Sequence, residues 1–140
     1  MKRTLGLLLV LTILCSCIFT SALADGPESR ASDYFTSYGT SMSAPGGGLI
    51  GVTFKAVGTT ICNQIGVANY HVQWLNDDGQ WVDVSGLLSG QTGSNVASYS
   101  FGRYFQGVAG ETYRVVVTFC CTINNSSEYK AYTSGRVTAK

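Results

Sequence analysis

The sequence predicts an all-β chain, an antiparallel sandwich of about seven short strands. Three observations carry this. Gly, Ser, Thr, Tyr and Val are plentiful while only 12% of residues are charged, a composition that favours strands and turns over helices. No stretch beyond residue 24 combines helical periodicity with capping residues. Short apolar/polar alternations also recur between Gly-, Pro- and Asp-rich breaks.

The first 24 residues stand apart. Lys2 and Arg3 precede the apolar run Leu5 to Leu14, and Ala22-Leu23-Ala24 ends the segment before Asp25, the layout of a secretory signal peptide. The apolar run is shorter than the ~20 residues needed to cross a bilayer, so no stable membrane insertion is expected after cleavage. Leu14-Cys15-Ser16-Cys17 loosely resembles a bacterial lipoprotein box that would lipidate Cys17, but the Ala-x-Ala site is better formed. Cleavage after Ala24 leaves 116 of the 140 residues, enough for one domain. Losing Lys2 and Arg3 leaves seven basic against eight acidic residues. That balance lacks the basic excess needed to bind nucleic acid or anionic lipid.

Residues 25–32 read as a flexible leader and 33–140 as the folded domain. Asp33 to Ser43 is a first strand with Tyr34, Tyr38 and Met42 available to one face. Ala44-Pro45-Gly46-Gly47-Gly48 turns the chain, because Pro fixes one φ and the glycines accept positive φ. In Leu49 to Val57, Ile50, Val52, Phe54 and Ala56 alternate with Gly51, Thr53 and Lys55, giving one apolar face. Gly58 to Gly66 is read as a connection, followed by a strand from Val67 to Asn76 with Tyr70, Val72 and Trp74 on one side. Asp77-Asp78-Gly79-Gln80 closes a hairpin onto Trp81 to Val84. Ser85 to Asn95 reads as a long loop, Val96 to Phe105 as a strand, and Gly107 to Gly110 as a turn. Tyr113 to Cys121 is the most strand-prone stretch. Thr122 to Lys130 reads as a polar loop before a last strand, Ala131 to Ala139.

Gly110-Glu111-Thr112-Tyr113-Arg114-Val115 resembles the sixth strand of immunoglobulin-like and fibronectin type III domains, where a corner tyrosine bonds nearby backbone through its hydroxyl. Trp74 matches the core aromatic of their third strand. Val115 stands where antibody-type domains carry the second core cysteine, so the pattern is closer to fibronectin type III. The blocks "SYGTSMSAPGGGLIGVTFKAVGTTICNQIGV", "VQWLNDDGQWVDV" and "GVAGETYRVVVTF" also resemble a family of small secreted proteins of Gram-positive, clostridium-like bacteria. That resemblance covers most of residues 33–139 and implies a fold and an exported bacterial origin, with no activity attached.

In an immunoglobulin-like layout the loops after the second and sixth strands share one end, which brings Cys62 towards Cys120 and Cys121. Adjacent strand residues face opposite ways, and Cys121 shares the core parity of Tyr113, Val115, Val117 and Phe119. The expected bridge is therefore Cys62–Cys121, with Cys62–Cys120 the alternative if the strand ends early. Closing a loop of this length contributes about 4 kcal/mol in the chain-entropy model. The leftover cysteine, Cys120, is either an apolar filler or a free outward thiol.

Catalysis and metal binding find little support. Cys62, Cys120, Cys121 and His71 lack the ligand spacing of structural zinc sites. His71 lies on the wet side of its strand, no nucleophile elbow surrounds any serine, and turn chemistry accounts for Asp77 and Asp78. No catalytic residue, metal or cofactor is expected. More aromatics are present than a core this size absorbs, among them Trp81, Tyr99, Tyr104, Tyr129 and Tyr132, and exposed aromatics suit binding surfaces. The expectation is a secreted, non-enzymatic binding or adhesion module for a protein or a surface glycan. Its candidate contacts are Asn63 and Gln64 in the first connection, Asp77 and Asp78 in the hairpin, and Asn124, Asn125 and Tyr129 in the last loop. The alternatives are an envelope-associated, self-assembling protein or a small secreted hydrolase.

Overall fold

A computed structural model describes residues 32–140. Residues 1–24, read above as a signal segment, the Cys17 box and all of the expected leader except Ser32 lie outside the described residues. Ser32 is tied to the domain, its hydroxyl accepting from the amides of Tyr34 and Phe35 and donating to Glu128.

The described residues form eight strands and no helix. They are β1 (Phe35–Gly46), β2 (Leu49–Leu75), β3 (Trp81–Asp83), β4 (Leu88–Ser89), β5 (Thr92–Gln106), β6 (Thr112–Ile123), β7 (Ser126–Thr133) and β8 (Val137–Thr138). Every pairing between them is antiparallel. Their central member is β2, 27 residues long, several times the usual strand length of about 5–6.

Two irregularities bend β2. Register slips against β5 between Val57 and Cys62, and against β6 between Val67 and Asn69. A bulge adds a residue to one strand, increases its twist and switches the parity that faces inward. The buried residues change parity twice: Ile50, Val52, Phe54, Ala56 and Cys62 are even-numbered, Ile65 and Val67 odd, and Tyr70 and Val72 even again, the second change falling at the slip between Val67 and Asn69. The first half of β2 lies between β1 and β5, and the second between β6 and the edge made by β3, β4 and the start of β5. The sheet thus curls over on itself. Phe54 and Tyr70, sixteen positions apart on one strand, meet with ring centroids 4.9 Å apart, and Tyr38 of β1 reaches Phe119 of β6 at 5.4 Å.

Several expected boundaries move. Gly58 to Gly66 is strand rather than connection, because the bend is made by bulges and by Gly66 at φ 152° instead of by a turn. The expected loop 85–95 contains β4 and the start of β5. The expected loop 122–130 is a tight hairpin: Asn124 and Asn125 take φ of 50° and 64°, the left-handed pair a two-residue turn needs, and β7 starts at Ser126. The last strand is broken between Thr133 and Val137. In β1, a register shift between Phe35 and Ser37 lets both Phe35 and Tyr38 face the core.

Candidate binding pocket

The curl leaves a mouth between the second half of β2 and the end of β5. There Val72 and Trp74 of β2 and Tyr113 of β6 face Phe105 of β5 across a cavity of about 460 Å³, a size that holds a side chain or a small ligand. The segment after β3 contributes Val84 and Ser85, β4 contributes Leu88, the end of β5 adds Gln106, and the turn after β5 contributes Val108 and Glu111. Its rim is apolar and open: Val84, Leu88 and Val108 are exposed, and Leu87 beside them is 71% exposed. Contiguous apolar surface of this kind on a small protein marks an interaction site more often than chance.

Local structure fixes these walls. The Tyr113 ring packs edge-on to Phe105 at 5.8 Å, and its hydroxyl accepts a hydrogen bond from the Val108 amide at 2.9 Å. Gly107 is required beneath it, since a Cβ there would lie 2.8 Å from the ring. Trp74 donates its indole N–H to the Glu111 carboxylate. Glu111 is itself held by its backbone, with its amide bonded to Val108 O and its carbonyl accepting from Ala139 N at 2.9 Å. Ser85 Oγ accepts from the Val72 amide at 2.8 Å and the Val84 amide donates to Val72 O at 2.9 Å, and together they anchor the segment between β3 and β4.

The cysteines sit towards the other end of β2. Cys62 and Cys121 are both fully buried, with sulfurs 3.0 Å apart. They are in contact as thiols, beyond the ~2.05 Å of a disulfide bond, and all three described cysteines are free. A Cβ on Gly58 would stand 2.4 Å from Cys62 Sγ, so this glycine makes room for the sulfur. Burial, then the bond to Cys62 and the surrounding charges of Cys62, Cys120 and Glu128, push the Cys121 thiol up to about 12. Cys120 is not the exposed thiol expected from its parity. Only 8% of it is exposed, because a short side chain on a middle strand is shielded by the strands on both sides, where its register partners are Gly66 and Tyr129. Burial raises its pKa as well.

The candidate contact residues do not form one surface. Asn63 and Asn124 meet, Asn63 Oδ1 accepting from the Asn124 amide at 2.8 Å, and Gln64 lies beside them in register with Thr122. Asp77 and Asp78 occupy the hairpin turn as expected, but beyond the opposite end of β2, about 36 Å of strand from Gln64 at ~3.3 Å per residue. Tyr129 projects from the middle of β7 and is 62% exposed. His71 pairs with Asp83 at 3.3 Å on the outer face, away from the core cysteines. Beside it Gln73 bridges Asp83 and Arg114, whose guanidinium stacks 4.2 Å above Trp81. Among the described residues no group of three or more His, Cys, Asp or Glu is placed to hold a metal, and no helix is long and apolar enough to cross a membrane.

Of the pocket, sequence reasoning reached only Trp74 and Tyr113, as structural residues. The signal for the rest was present in Val84, Leu87, Leu88 and Val108, large apolar residues set in Gly- and Ser-rich turn sequence.

No family model matches this chain, and no curated protein matches it. A crystal structure of a protein from Archaeoglobus fulgidus is similar at a TM-score of 0.41 and 14% identity, covering 76% of this chain and 98% of that one.

Proposed function

We propose that this chain is an exported, non-enzymatic binding module that seats an apolar side chain of a protein partner in the cavity beside Trp74. The observation that carries the reading is the open apolar mouth, where exposed Val84, Leu88 and Val108 line a formed cavity and exposed Leu87 is next in the chain to Leu88. Export rests on the signal-like segment 1–24 and on the resemblance to secreted clostridium-like proteins. A photo-crosslinker placed at Leu87 tests the reading. It is expected to trap a protein from bacterial or host surface extracts, and Leu88→Glu is expected to abolish the product. Equal trapping from a crosslinker at Ser98, on β5, would overturn it.

The same proposal includes the finer fold and the cysteine bridge. Contact between the two halves of β2 supports reading the curled sheet as an immunoglobulin-like sandwich, although β2 and β5 both continue from one half into the other. In an oxidising compartment Cys62 and Cys121 close a disulfide, passing two electrons and two protons to a donor disulfide such as oxidised glutathione, which leaves as two thiols. Their 3.0 Å contact means that little movement is needed. Self-association is a second reading, favoured by one feature. Ser98–Gln106 of β5 pairs on one edge only among the described residues and carries a single charge, Arg103, and natural edge strands are usually better protected. Sedimentation velocity over a hundredfold concentration range separates the two, since a binding module stays monomeric.

A further inference from the structure

Resting on the pocket reading above, we infer that the side chain the cavity selects is a lysine of the partner, its aliphatic stem against the apolar walls and its ammonium at Glu111.

Charge supplies the first argument. Glu111 is the one charged residue lining the cavity, and among the described residues no Lys, Arg or His makes an ion pair with it. One carboxylate oxygen holds the Trp74 indole N–H, while the other has no hydrogen-bond donor among the described residues. The carboxylate is thus held in place with an acceptor to spare, and the complementary group is a cation. Wall chemistry supplies the second. Trp74, Phe105 and Tyr113 border the cavity, and aromatic faces attract ammonium groups, Trp most strongly. Val72, Val84 and Leu88 then match a stem of methylenes, the part of a lysine that gains from leaving water. A carboxylate ligand would meet Glu111 as a like charge, and an uncharged apolar group would leave it without a partner at the mouth.

The test uses three peptides, acetyl-Ser-Leu-X-Leu-Ser-amide, with X as lysine, norleucine or Nε-acetyl-lysine. Each is titrated against residues 25–140 by Trp74 fluorescence in a Trp81→Phe background. Binding of the lysine peptide about tenfold tighter than the norleucine peptide is expected, with that advantage lost in Glu111→Gln, whose amide oxygen still accepts from the Trp74 indole. Val108→Lys, at a rim position 64% exposed, is expected to weaken both peptides, the lysine peptide several-fold more than the norleucine peptide. Equal affinity of the lysine and norleucine peptides overturns the lysine assignment and leaves the pocket reading standing. So does a lysine preference that survives Glu111→Gln. Hexylamine binding as tightly as the lysine peptide overturns the assignment to a protein side chain in favour of a free amine. Failure of all three peptides at millimolar concentration removes the pocket reading itself.

Discussion

Tyr113→Phe removes one oxygen and leaves the aromatic ring in place. The ring is 6% exposed, packs against Phe105 and fills the space left by Gly107, so its apolar burial is retained in the variant. What is lost is the hydrogen bond from the Val108 amide. An intramolecular hydrogen bond contributes about 0.5–1.5 kcal/mol net, and a buried donor left without a partner costs about 1–3 kcal/mol. Val108 is itself largely exposed, so water partly replaces the lost acceptor and the expected cost sits near ~1 kcal/mol. With a urea m-value of about 1–2 kcal/mol per M, the midpoint falls by roughly 0.5–1 M at unchanged m. An unchanged midpoint would show that the hydroxyl does not hold the turn after β5 to the core. An increase in m would point instead to a change in the unfolded or native ensemble.

Three further outcomes follow from the cysteine end. Gly58→Ala places a Cβ against Cys62 Sγ and Thr60 O and is expected to destabilise by about 1–3 kcal/mol; combined with Cys62→Ala the loss should be less than the sum, and strict additivity in chemical denaturation would contradict the shared contact. In the reduced protein Cys121 keeps its proton up to about 12, against 9.0 as a free side chain. Both states are then protonated below pH 9 and stability is complete there; above pH 9 the unfolded thiol ionises first, and stability falls by up to about 1.4 kcal/mol per pH unit. Cys120 acts in the same direction, so Cys120→Ser isolates the Cys121 share, and a flat urea midpoint between pH 8 and 10 in that variant would contradict it. Peptide mass mapping after refolding in a glutathione buffer is expected to show a Cys62–Cys121 bridge with Cys120 unpaired. Three free thiols would refute the bridge.

How much of this was legible in the sequence depended on the kind of signal involved. Alternation placed Ile50, Val52, Phe54 and Ala56 on one buried face, and the parity of β6 from Tyr113 to Cys121 matches the buried set. Both are period-two patterns over uninterrupted strand. The bends in β2 were invisible because a bulge needs no Pro or turn dipeptide, and a strand that switches parity twice looks like two strands and a connection. Asn124-Asn125 was readable in principle, since Asn tolerates the left-handed region, but its polar neighbours made it look like a longer loop. The pocket escaped for a different reason: its walls come from β2, β4, β5, β6 and two connections, and no local pattern encodes their meeting. Cys120 was misplaced because parity gives direction and says nothing of the neighbouring strands that cover a short side chain.

The most direct test of the pocket is a methyl-resolved NMR titration of residues 25–140 with the norleucine peptide, which needs no assumption about charge. Binding in the cavity predicts shifts at the methyls of Val72, Val84, Leu88 and Val108, with those of Val117 and Val52 unmoved. Shifts confined to the Asn63 and Asn124 end, or none at millimolar peptide, would contradict it.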